Sequence, residues 1–229
     1  MESTFKLSHQ VRRVITWMIM VPKRARFVWQ HRTRLDLTEP LIATVRRLCS
    51  QARERGGGDL ARIHNATLFV LLLDEDLHWL TSQMLAALDE SERKFVARQF
   101  AVLLYEASED LPQLFGRGYR DALRGLKLDA RVLPQLDTIT RQLNRFKQLH
   151  ADDLKHVRSI VGAHREQNAL TQIETLERVQ PLELMSLAAE LYESLHPLME
   201  VLTEVTLLTA DMRVQLADFL RHREPAKGT

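Results

Sequence analysis

One cysteine, Cys49, is all the thiol chemistry available to this 229-residue chain. It excludes an intrachain disulfide and any multi-cysteine zinc or iron–sulfur centre. Within Leu48-Cys49-Ser50, inside a helical pattern, Cys49 reads as a small buried hydrophobe rather than a nucleophile. A reducing cytoplasm is the expected setting. Aromatic residues make up only 6% of the chain, and there are eight glycines and seven prolines. That scarcity disfavours a sheet, which draws on aromatic and β-branched side chains, and favours helices packed through aliphatic ridges. The longest apolar run near the N-terminus, Val14 to Val21, is too short to span a bilayer and is flanked by basic residues. No small-residue cleavage pattern follows it, so no secretion signal and no stable transmembrane insertion are expected.

Abundant leucine at intervals of three and four predicts an all-α antiparallel helical bundle. Charge divides the chain unevenly. Residues 1–60 hold twelve Lys/Arg against five Asp/Glu, a surplus of +7, while residues 61–229 hold twenty against twenty-five, a deficit of −5. The basic character therefore belongs to an N-terminal helical arm, in which Arg24, Arg26, Arg32 and Arg34 surround Phe27 and Trp29. Such interleaving can grip phosphates and stack on bases. It also suits an arm packed on the acidic remainder of the chain.

Composition shifts place the boundaries at 1–58 for the basic arm and a glycine hinge, 59–221 for the bundle, and 222–229 for a flexible tail. A first helix from Leu7 to His31 is expected to break near Pro22. Thr38 is a candidate cap for the next, which should stop at Gly56-Gly57-Gly58. These glycines are no phosphate loop, because no Gly-Lys-Ser/Thr follows. Asp59 is a candidate cap for a central helix reaching Leu88, with Asp74, Glu75, Asp76 and His78 on its solvated face. Further helices are expected around Phe95–Leu111, Tyr119–Leu126, from Asp129 onward, over Leu170–Val179, and from Leu182 through Val205. Pro197 is expected to bend the last of these.

The histidines are scattered and lack the repeated Glu plus Glu-x-x-His pattern of a two-metal bundle, so no metal site and no cofactor are assigned. The sharper constellation is Arg158-Ser159-Ile160-Val161-Gly162-Ala163-His164, followed by Arg165. Metal-free phosphodiester cleavage needs a proton carrier near neutral pH and a cation to hold the phosphate. Histidine and arginine supply these two functions. Six residues apart on an ideal helix, their Cα atoms are about 9 Å apart along the axis. Gly162 can relax the helix between them, or two copies can pool their residues across a symmetry axis.

This stretch, with Leu154 one turn ahead and a long leucine-rich helix behind, resembles the HEPN superfamily, particularly its abortive-infection and toxin-like branches. The resemblance covers roughly residues 61–210. It implies a helical bundle that forms a homodimer, with Arg158 and His164 matching the Arg-x4-6-His motif of the family's ribonucleases. In that role His164 transfers the proton, Arg158 stabilises the phosphate, Ser159 orients the pair and Arg165 helps place RNA. Ser159 stands where active relatives often carry asparagine, aspartate or histidine, and that departure points to a divergent member. The reading from sequence is therefore a noncatalytic helical interaction or regulatory protein, able to bind nucleic acid or a protein partner. Its alternative is a metal-independent endoribonuclease using Arg158 and His164.

Overall fold

A computed structural model of the chain describes residues 25, 26, 33, 34, 36, 38–87, 89–159, 174 and 180–211. Among them are six helices and no strand: α1 (38–54), α2 (Gly58–Ala86), α3 (Glu90–Leu114), α4 (Arg117–Gly125), α5 (Asp129–Val157) and α6 (Pro181–Thr209). The expected all-α bundle is therefore what the chain forms. The segments expected over Leu7–His31 and Leu170–Val179, and the tail, lie outside the described residues except for positions 25, 26 and 174.

The bundle is organised around α2. Leu60, Ile63, Val70, Leu73 and Leu77 are buried along it, and Phe69 and Leu80 pack against the same core. A helix apolar around so much of its circumference must be covered from several directions. Helix α1 runs antiparallel beside it: Arg53 donates to Asn65 at 3.1 Å near the turn, and Arg34 reaches Asp74 at the far end. On α1, Val45, Cys49 and Ala52 are the buried side chains, and the Cys49 thiol donates to the Ala61 carbonyl at 3.5 Å. The expected burial of Cys49 holds. Helix α6 also lies antiparallel to α2, with Leu191, Leu195, Leu198, Leu202 and Val205 turned inward. Helices α3 and α5 complete the bundle through Phe100, Leu104 and Leu111 facing Leu136, Leu143 and Phe146. Truncating one such fully buried leucine to alanine costs about 2–5 kcal/mol.

Helix ends follow local chemistry. Asp89 has extended backbone and accepts from the Glu92 N–H at 2.8 Å, an N-cap for α3. Thr38 does not cap α1, because residues 33, 34 and 36 are already helical and its hydroxyl donates to the Arg34 carbonyl at 3.2 Å. Asp59 falls in the first turn of α2, behind Gly57 at the cap position, and favours the helix through the dipole. Helix α5 passes straight through His150–Asp153, and α6 carries Pro197 inside a continuous helix. Asp74 departs from the expected solvated face: it is 3% exposed, because Thr67, Val70, Asp74 and Leu77 form one buried stripe.

The glycine run closes α1 as a Schellman turn. Gly57 N–H donates to the Ala52 carbonyl at 2.8 Å and Gly56 N–H to Arg53 at 3.1 Å, with Gly56 at φ +73°. The same pattern ends α4, where Leu128 N–H donates to Leu123 and Lys127 N–H to Arg124, both at 2.9 Å. There the left-handed position is held by Lys127 at φ +60°, against the preference of a side chain with a Cβ. A Cβ on Gly56 would meet nothing within 4 Å, so Gly56→Ala tests backbone strain alone. We expect it to lower stability by about 1 kcal/mol, and Lys127→Gly to raise stability by up to about 1 kcal/mol. Urea unfolding midpoints of the two variants, measured beside the parent, check both signs.

Candidate functional site

Arg158 sits at the C-terminal end of α5, and its backbone N–H bonds the Leu154 and Lys155 carbonyls. Leu154, 2% exposed, anchors that last turn in the core and so fixes where the arginine side chain leaves the helix. The guanidinium lies over the Tyr105 ring, 5.2 Å from its centroid, and Nη2 is 3.7 Å from Glu106 Oε1, both on α3. A cation over a ring face and beside a carboxylate is held by two attractions at once. Its Nε is buried and has no hydrogen-bond partner among the described residues. Ser159 is exposed, and its hydroxyl donates to the His156 carbonyl at 3.0 Å, closing the final turn.

Of the other residues singled out in the sequence, Arg26 is exposed and helical, whereas Arg24, His164 and Arg165 lie outside the described residues. The structure thus brings Arg158 and Ser159 to one helix end, with Arg26 in a separate part of the chain. Beside Arg158, a polar groove of about 460 Å³ runs between α3 and α5, lined by Tyr105, Glu109, Asn144, Lys147, Gln148 and Lys155 among others. Lys147 Nζ pairs with Glu109 at 2.8 Å, so the groove's cations are partly neutralised from within. On the opposite side of α5 a cleft of about 530 Å³ opens toward α6. There His150 Nε2 meets Glu190 at 3.0 Å and its ring leans on Phe146 at 4.9 Å. Among the described residues no three His, Cys, Asp or Glu side chains are arranged to hold a metal ion, and no helix is long and apolar enough to cross a membrane.

Arginine is distributed very differently on α1. Arg46, Arg47 and Arg53 reach solvent there, as does Arg55 in the turn beyond, while Val45, Cys49 and Ala52 turn inward. One side of the helix therefore packs, and the exposed side carries these cations together with Glu39 and Glu54. A second polar cluster, missed from sequence, joins three helical segments. Arg34 pairs with the Asp74 carboxylate, and the Tyr192 hydroxyl of α6 donates to the Asp74 backbone carbonyl at 3.4 Å. Burial chiefly, and then the Asp74 charge, push the Tyr192 phenol well above its ordinary range, so it stays a neutral donor. The missed signal was the interval of three and four residues that places Asp74 in the same row as Val70 and Leu77.

The chain matches no protein-family model, curated protein or solved structure.

His64 on α2 is 2% exposed, and its Nδ1 has no hydrogen-bond partner among the described residues. Burial pushes its pKa down from 6.5 to about 4, so the folded protein holds it neutral. The unfolded chain takes up the proton that the folded one refuses. The stability His64 contributes is therefore complete above pH 6.5 and is lost as pH falls from 6.5 toward 4. Between pH 7 and pH 4.5 the loss from this residue is about 2–3 kcal/mol. Denaturant unfolding at the two pH values should show that slope in the parent and a flatter one in His64→Leu; equal slopes would contradict the assignment.

Proposed function

We propose that this chain is a noncatalytic helical interaction protein that binds nucleic acid through its basic N-terminal region. The observation that supports this reading is the contrast between its two sets of arginines. Arg158 is turned toward α3: its guanidinium lies over the Tyr105 ring, and its Nη2 stands 3.7 Å from the half-exposed Glu106 carboxylate. A catalytic arginine must instead present its donors to the place where phosphate charge develops. Arg46, Arg47 and Arg53 lie on the exposed side of α1, with Arg55 in the turn beyond it, where backbone phosphates can displace counterions without disturbing the core.

The alternative, a metal-independent ribonuclease working through Arg158 and His164 in a homodimer cleft, draws on one observation. The buried Nε of Arg158 lacks an acceptor, and a ligand oxygen can supply one.

The two readings separate in one set of measurements. Purified protein incubated with labelled RNA in chelator should leave it intact. Chelator-resistant cleavage that His164→Ala abolishes would overturn the noncatalytic reading. In the same buffers the parent should bind a single-stranded RNA with affinity that falls steeply with salt. Arg46→Gln/Arg47→Gln should weaken binding and reduce the slope of log K against log salt by about 1.4, the share of two phosphate contacts on a single strand. An unchanged slope would remove α1 from the interface.

A further inference from the structure

Helix α4 carries Arg117, Arg120 and Arg124 within a single short element, in the part of the chain whose overall balance is acidic. Its packed side is Tyr119, Ala122 and Leu123, all buried. Residues three and four apart share a helix face, so Arg117, Asp121 and Arg124 are left together on the solvent side. Arg120 is directed away from them, onto Asp137 of α5. The Arg117 side chain is 95% exposed and that of Arg124 55%, and both reach the same Asp121 carboxylate, at 3.6 and 2.8 Å. One carboxylate cannot neutralise two guanidiniums. Pairs this open to water are also weak, so a phosphate can take the place of the carboxylate.

Two hydrogen bonds connect this cluster to α1 across α2. Arg53 of α1 donates to Asn65 of α2 at 3.1 Å, and Arg62 of α2 donates to the Gly118 carbonyl of α4 at 3.2 Å. Arg62 and Asn65 are three residues apart and both exposed, so they share one row of α2, with Asn65 toward α1 and Arg62 toward α4. Even with that bond made, the Arg62 side chain is 54% exposed, and Asp59 stands 4.0 Å away at the limit of an ion pair. Arg53, Arg62, Arg117 and Arg124 therefore follow one another over a solvent-facing path. Packed helices stand about 8–10 Å apart, so the path from α1 over α2 to α4 is about 16–20 Å long. Glu54, Asp59 and Asp121 also lie along it, and with Arg55 in the turn the balance stays positive.

We propose that α4 is the second half of the nucleic-acid interface: single-stranded RNA crosses from α1 over Arg62 onto Arg117 and Arg124, where its phosphates replace their shared partner Asp121. The inference rests on the nucleic-acid reading above and extends that surface from one helix to three. Asp121 acts against binding in this arrangement, because a phosphate entering between the two arginines meets its charge. Removing that charge should tighten binding, an effect that loss of folded structure cannot imitate.

Salt-dependent binding of a single-stranded RNA oligonucleotide to the full chain tests this. Arg117→Gln/Arg124→Gln should weaken binding severalfold and reduce the slope of log K against log salt by about 1.4, the share of two phosphates. Arg62→Gln should reduce it by about 0.7. Asp121→Asn should bind severalfold more tightly than the parent. Arg141→Gln/Arg145→Gln, the same change of net charge on the exposed side of α5, should stay near the parent in slope. A loss in Arg117→Gln/Arg124→Gln no larger than in that control, or Asp121→Asn no tighter than the parent, would overturn the path. Weakened binding by Arg46→Gln/Arg47→Gln in the same series would then leave the nucleic-acid reading standing on α1 alone. Absence of RNA binding by the parent would overturn both.

Discussion

Everything else in this bundle follows from the need to keep α2 out of water. Its apolar residues occupy so many directions that one covering helix leaves part of them exposed, and α1, α3, α4 and α6 all contribute to enclosing it. Polar groups enter that environment under restriction. Thr67 and Ser82 return their hydroxyls to the carbonyls of Ile63 and His78, at 3.2 and 2.8 Å. His64 stays neutral, and Asp74 draws a cation from a segment forty residues earlier. Each arrangement avoids leaving a bare charge in a medium that solvates it poorly.

The same enclosure sorts the arginines. Arg158 leaves α5 where α3 offers a carboxylate and a ring, and its charge is used to join two helices. The arginines of α1 lie on its solvent-exposed side, where Arg53 also reaches Asn65 of α2. A helix with one packed and one cationic face can dock on a bundle and on a polyanion at once. Arg34 stands between these conditions, tied to the bundle through Asp74 yet partly reached by solvent.

Periodicity made the helices legible. Leucines at intervals of three and four located α3, α5 and α6, and Asp129 marked a helix start correctly. Buried Cys49 was legible from its small apolar context. Asp74 was misplaced because the acidic run Asp74-Glu75-Asp76 looks like a solvated face, although the interval from Val70 to Leu77 places it inside. Thr38 was misplaced as a cap because the helical path through residues 33, 34 and 36 carries no strong apolar stripe. Of the candidate site, the helix that delivers Arg158 was legible, since Leu154 and Val157 lead up to it, but its end was expected at Gly162. Its partners were not, because Tyr105 and Glu106 lie some fifty residues away and only packing of α3 against α5 brings them near. The resemblance to HEPN ribonucleases rests on the spacing of Arg158 and His164, and spacing along a chain does not specify which carboxylate an arginine will meet.

The account turns on what Arg158 does when RNA is present. A crystal structure of the full chain bound to an RNA oligonucleotide with 2′-deoxy substitutions that block cleavage would place it directly. The guanidinium should remain against Glu106 and over the Tyr105 ring, with the phosphates along Arg46, Arg47 and Arg53. Arg158 turned onto a phosphate, with His164 beside the position of the missing 2′-hydroxyl, would contradict the account and establish the nuclease site in its place.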